Sequence, residues 1–325
     1  MTHLLDAAGA AADVLFADDA PHGRSLALLV QQGGEVVFER YGTQPDTLFG
    51  PGSPVDANTT LISWSMAKSI THAALGMAVL DGLLDVNAPA PVPEWQGTDK
   101  AAITLLQLLE MRSGLEFVED YVDDSVSHCI EMLFGAGVAD TAAYAASQRL
   151  IHVPGEVFNY SSGTTNIVSR ILGASLGGGQ EAMEHFLRTR LFEPLGMHSA
   201  VPKFDDAGTF IGSSYVYATA NDFARFGQFY LDDGVVDGVR LLPEGWREHA
   251  RTWSAHDPDG FDYGRHWWLW PEFPGVFAAH GYEGQYTVVW PERGLVLVHL
   301  GKSPYDQRQA LNEQLRSIVA AAAAG

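Results

Sequence analysis

Cysteine is nearly missing from this chain: Cys129 is the single one in 325 residues. One thiol cannot form a disulfide within the chain, which excludes a secreted disulfide scaffold. Positive charge is scarce as well. Nineteen lysines and arginines stand against 40 aspartates and glutamates, giving a net charge of -21. Such a field repels phosphate backbones, so nucleic acid is not an expected partner. No apolar run reaches the roughly 18 residues of a membrane span, so no membrane contact is expected. The start, MTHLLDAAGAAADVLFADD, lacks a basic segment and meets acidic residues early. It does not read as a signal peptide, and the expected location is the cytoplasm. H-E-x-x-H, a clustered Cys/His set, a P-loop and G-x-G-x-x-G are all absent. Neither a metal nor a nucleotide cofactor is expected.

What is present is a large apolar fraction, 46% of the residues, enough to bury a sizeable core. Residues 1–17 read as a short amphipathic helix. Residues 25–41 read as two strands joined through Gly33-Gly34. Residues 66–80, MAKSITHAALGMAVL, are apolar all round, the mark of a buried helix. Thr104 and Gln107 have capping-box spacing ahead of a helix that Gly114 ends, and Thr219 caps a further helix that Gly234 closes. Helices are also expected over 164–175 and 183–192. Strands return at 286–290 and 294–300 around Pro291-Glu292-Arg293, and a helix over 305–323 closes the chain. Strands at both ends with helices between them point to an α/β fold of the α+β type. The expected architecture is an antiparallel sheet flanked by helices plus an all-helical domain. The expected division is 1–70 with 200–325 as a discontinuous α/β domain, 71–199 as a mainly helical domain, and a site between them.

Three stretches carry chemistry. The first is Ser65-Met66-Ala67-Lys68. A serine hydroxyl is a poor nucleophile until a base takes its proton. Positions i and i+3 share a helix face, so Lys68 can reach Ser65. A serine and a lysine three apart also arise by chance. The chain, however, has four lysines (Lys68, Lys100, Lys203 and Lys302), and a lysine inside an apolar helix requires a partner. Ser65 also stands where the helix begins, where backbone N–H groups favour an oxyanion. The second stretch is Asn159-Tyr160-Ser161-Ser162-Gly163, a polar loop before a helix, readable alone as an ordinary turn. The third is Ala279-His280-Gly281-Tyr282-Glu283-Gly284-Gln285. Its glycines permit close approach of backbone to a ligand or mark a tight entry to the next strand.

In this order and spacing the three stretches resemble the class C β-lactamase and penicillin-binding-protein superfamily of serine hydrolases. Supporting stretches are TLLQLLEMRSGL, PGEVFNYSSG, FEPLGM and ATANDFARFGQFYLDDG. The resemblance extends to family VIII carboxylesterases and, through Glu119-Asp120-Tyr121 and Gly281–Gln285, to 6-aminohexanoate-dimer hydrolases. It implies that Ser65 is acylated, that Lys68 and Tyr160 handle its proton, and that the N–H groups of Ser65 and Tyr282 form the oxyanion hole. Tyr121, Ser162, His280 and Gly281 would face substrate. Ser162 stands where the Y-x-N motif has asparagine. Ala279 stands at the lysine of K-T-G, so the drug-carboxylate contact of β-lactamases is missing unless a protonated His280 replaces it. The implied activity is hydrolysis of small esters or amides through an acyl-enzyme, with no cofactor. The alternatives are a β-lactamase, a D-amino acid peptidase, or a catalytically silent binding protein on the same scaffold. Oligomeric state is not readable from the sequence.

Overall fold

Residues 25–41 form the expected hairpin. Strand Arg24–Gln32 pairs antiparallel with strand Glu35–Tyr41. Gly33 and Gly34 turn at φ 60° and 86°, the conformation that a two-residue hairpin loop requires and L side chains resist. Strand Arg24–Gln32 is buried along most of its length. It is covered on both faces, which is why its sequence is continuously apolar and not alternating. The computed structural model describes residues 2–48, 50–121, 126–258 and 260–324.

The second partner of strand Arg24–Gln32 is the last strand, Leu295–Lys302, again antiparallel. The two ends of the chain thereby share one sheet. Its eight strands run in the order 35–41, 24–32, 295–302, 285–290, 277–281, 268–269, 262–263, 255–256. Helices Thr2–Leu15 and Arg308–Ala323 cover one face, where Leu4, Leu15, Leu28, Val288, Leu297 and Ile318 share a core. Helices Ala67–Leu80 and Ala220–Leu231 pack on the other, in a larger core with Leu29, Ile70, Phe226 and Val296. Twelve of the 14 residues of helix Ala67–Leu80 are buried, as its all-round apolar sequence requires.

Along the chain between residues 105 and 186 the described elements are helical: Leu105–Leu109, His128–Phe134, Thr141–Ser147, Ser162–Ser175 and Gln180–Phe186. Thr104 and Gln107 form the reciprocal capping box, and Ser161 caps helix Ser162–Ser175 by accepting from Thr164 N. The fold is thus the expected antiparallel sheet with helices. Three local features differ. The helix expected over 183–192 becomes π-helical at Leu187–Phe192. Ser65 belongs to a 3₁₀ turn, Trp64–Met66, ahead of the α-helix proper. The stretch Ala279–Gln285, expected as the entry to a strand, begins inside one: Phe277–Gly281 is itself a strand paired with Gln285–Trp290. No helix among the described residues is long and apolar enough to cross a membrane.

Candidate active site

The 3₁₀ turn that carries Ser65 is pinned from behind by Ser63. The Ser63 N–H donates to Val216 O, and the Ser63 hydroxyl accepts from Val216 N at 3.0 Å. Trp64 sits at φ 42°, a left-handed conformation that costs a bulky side chain about 1–3 kcal/mol. The strain is held by a second element. Trp64 Nε1 donates to Glu283 Oε2 (3.0 Å), which also accepts from Lys302 Nζ (2.8 Å). Glu283 is itself left-handed, at φ 60°. Two strained residues, one before Ser65 and one after Tyr282, are therefore bonded to each other. Gly281 completes this junction: a Cβ there would lie 2.3 Å from Ser63 O, so only glycine lets the strand end meet the turn.

Lys68 lies one helical turn beyond Ser65 and is 2% exposed. Its Nζ makes three contacts of 3.0 Å, to Ser65 Oγ, Ser162 Oγ and Ser213 O. As an ammonium it donates to all three. As an amine it donates to two and turns a lone pair to the Ser65 hydroxyl. The same geometry thus serves both protonation states. Behind Ser162 stands Glu119, which sequence reasoning had not assigned a role. Its Oε1 accepts from Ser162 Oγ at 2.5 Å and from Tyr121 OH at 2.7 Å, and its Oε2 accepts from Ser162 N at 2.7 Å. A carboxylate is therefore linked to Lys68 through one hydroxyl.

Tyr160 leans over this pair, its ring centroid 4.8 Å from Lys68 Nζ, between Trp268 and the edge of Tyr263. Burial raises the pKa of its phenol, opposed by the Lys68 charge and by hydrogen bonds with Ser65 and Lys68. The phenol keeps its proton at neutral pH. Burial and then the Glu119 charge likewise raise Tyr121.

The structure brings Ser65, Lys68, Tyr160, Ser162, Tyr121, Gly281 and Tyr282 into one cleft. His280 lines it too, but the idea of a cationic His280 is overturned. Trp270 Nε1 donates to its Nε2 at 3.0 Å, Trp268 stacks on its ring at 5.3 Å, and Phe261 and Tyr286 close the sides. Burial, reinforced by Arg308 and Arg316, holds its pKa well below the usual imidazole value. A neutral, aromatic-boxed imidazole cannot serve as a cation toward a substrate carboxylate. A cation that does line the cleft is Arg308, stacked over Tyr305 at 4.8 Å. It shares that wall with the carboxylates of Glu119 and Asp257.

A serine bonded to a buried lysine at the start of a core helix, set against the end of a strand of an antiparallel sheet, defines the serine hydrolases built like β-lactamases and penicillin-binding proteins. The chain belongs to the Beta-lactamase family, whose model matches residues 15–321, and it is a serine hydrolase of that fold. It is 28% identical over 302 residues to the 6-aminohexanoate-dimer hydrolase of Paenarthrobacter ureafaciens, covering 86% of this chain and 72% of the relative. It is 26% identical over 295 residues to penicillin-binding protein 4 of Amycolatopsis lactamdurans, covering 76% and 73%. Among solved structures, the octameric penicillin-binding protein homologue from Pyrococcus abyssi superposes with a TM-score of 0.70 at 19% identity, over 90% of this chain and 73% of that one. A penicillin-binding protein homologue from Caulobacter crescentus gives 0.70 at 19%, over 96% and 98%. At such identity the two structures bear on the fold alone.

Proposed function

We propose that the protein hydrolyses small amides and esters through an acyl-enzyme on Ser65, as a carboxylesterase or amidase of the class C type. The observation that carries this reading is the Lys68 Nζ contact with Ser65 Oγ, its other two bonds anchored on Ser162 and Ser213. In acylation, Ser65 Oγ attacks the carbonyl carbon while its proton passes to Lys68, which enters the step as the amine. The carbonyl oxygen takes the negative charge beside the N–H groups of Ser65 and Tyr282. Tyr160, protonated at neutral pH, gives its proton to the departing nitrogen or oxygen and recovers one from Lys68. Water then attacks the acyl-enzyme and the same groups run in reverse. The division of residues 1–70 and 200–325 from 71–199 frames this cleft.

The name of the Paenarthrobacter relative supports the amide half of the proposal. The missing K-T-G lysine and the neutral His280 argue against efficient β-lactam turnover. A second reading, cleavage of substrates with an anionic leaving half such as β-lactams or D-amino acid peptides, is favoured by Arg308 alone. Parallel kcat/KM measurements on p-nitrophenyl esters, linear amides and nitrocefin separate the two. Esters and amides above nitrocefin support the first, and nitrocefin at or above the esters supports the second. Absence of turnover on all three, together with no fluorophosphonate adduct on Ser65, would establish the silent binding protein instead.

A further inference from the structure

Ser65 stands on a ridge between two cavities. Ser65, Tyr121 and Tyr282 line both, which puts the reacting carbonyl over the divide. The first cavity, about 210 Å³, holds Tyr160, Glu119, Asp257 and Arg308. The second, about 320 Å³, is walled by Trp64 and by one face of helix His128–Phe134: Cys129, Ile130, Leu133 and Phe134. Its remaining lining groups are the hydroxyl-bearing Ser162 and Ser214, and no charged side chain lines it among the described residues.

The two halves of a substrate can be assigned to these cavities, given the roles of Ser65 and Tyr160 proposed above. The leaving atom must receive a proton as its bond to the carbonyl carbon breaks. The donor, Tyr160, lines only the first cavity, so the leaving half departs there. The acyl half extends from the other side of the carbonyl carbon and enters the second cavity. We propose that this cavity, against helix His128–Phe134, is the acyl pocket and that it takes an uncharged, apolar acyl group of several carbons. An ammonium placed at the end of that acyl chain would lose its hydration among these apolar side chains, and the Glu119 carboxylate at the divide is already engaged by Ser162 and Tyr121. Apolar chains gain instead from contact with Ile130, Leu133 and Phe134.

The test uses one leaving group and varies the acyl half: p-nitrophenyl acetate, butyrate, hexanoate and 6-aminohexanoate. Each methylene buried from water is worth about 0.8 kcal/mol, or roughly fourfold in kcat/KM. Hexanoate is expected to exceed acetate at least about tenfold and to exceed 6-aminohexanoate at least about 100-fold. Filling the pocket with Ile130→Trp should bring the hexanoate-to-acetate ratio to within about threefold of unity. Phe134 is 64% exposed at the mouth, so Phe134→Asp leaves the core intact, and it should raise 6-aminohexanoate relative to hexanoate about tenfold or more. Hexanoate and 6-aminohexanoate turned over equally, with both ratios unmoved by the two variants, would overturn the acyl pocket while leaving the hydrolase reading standing. Failure of every ester, with Ser65 unlabelled by a fluorophosphonate, would overturn the hydrolase reading and this proposal with it.

Discussion

Replacing Lys68 by methionine should abolish turnover without unfolding the protein, and the structure sets the size of both effects. Methionine keeps an unbranched, adaptable side chain in the same channel. Ser213 O loses its contact with Lys68 Nζ, while Ser162 Oγ keeps its bond to Glu119. The orphaned carbonyl costs about 1–3 kcal/mol. Against that, a buried polar nitrogen gives way to an apolar thioether, a relief of about 1–3 kcal/mol. The terms oppose each other and should leave a net change within about 2 kcal/mol. Catalysis has no such compensation. Losing the group that takes the Ser65 proton should lower kcat/KM by about 10⁴-fold, or about 5.5 kcal/mol of barrier. The assay is p-nitrophenyl butyrate hydrolysis beside urea unfolding of the same preparation. A variant that keeps more than about a tenth of wild-type activity would refute the proton-transfer role. One that loses more than about 3 kcal/mol of stability would show Lys68 to be a structural residue.

Other outcomes follow from the same contacts. Tyr160→Phe keeps the ring between Trp268 and Tyr263 and should lower kcat by about 10²- to 10⁴-fold, with the loss smaller for p-nitrophenyl esters, whose leaving group departs without a proton, than for amides. Trp64→Phe removes the Nε1 donor to Glu283 and should lower kcat about tenfold with KM little changed, because it loosens the two amides that face the oxyanion. An equal effect on KM would contradict this. Arg308→Met should reduce kcat/KM about 10- to 150-fold for amides whose leaving half carries a carboxylate, the worth of one charge-assisted hydrogen bond, and leave neutral amides unchanged. Acid stability is set by buried histidines. Burial lowers His266 to about 3, and His299 to about 4, while the unfolded groups titrate near 6.5. Below about pH 6.5 the unfolded chain binds protons that the folded protein refuses, so stability is complete above that pH and falls as pH drops toward 4. His299 alone is worth about 3 kcal/mol across that window. Urea midpoints that stay flat between pH 7 and 4 would contradict it.

The parts of this molecule that the sequence made legible are those whose signal is local. Lys68 stood out because lysine is scarce and this one lies in an apolar helix, and it is indeed buried with three oxygen partners. Gly33-Gly34, the Thr104–Gln107 box and the strands around Pro291 follow short-range stereochemistry and fold accordingly. What stayed hidden depends on distant parts of the chain meeting. Glu119 is one of 40 acids, and only folding brings it to Ser162. Arg308 reaches the cleft from the last helix, 243 positions beyond Ser65. His280 read as a possible cation because nothing nearby in sequence shows that Phe261, Trp268, Trp270 and Tyr286 enclose it. The two-residue strands between 255 and 269 have no periodicity to detect. The left-handed Trp64 is equally invisible, since a tryptophan avoids that conformation unless its surroundings impose it.

The central claim is that Ser65 is the nucleophile and forms a covalent intermediate. Intact-mass analysis after incubation with a fluorophosphonate, with the modified peptide then sequenced, tests it most directly. The expected result is one adduct per chain, on Ser65, absent in Ser65→Ala and slowed in Lys68→Met and Tyr160→Phe. Labelling of Ser162 or another serine, or labelling of Ser65 that is unaffected by Lys68→Met, would contradict it.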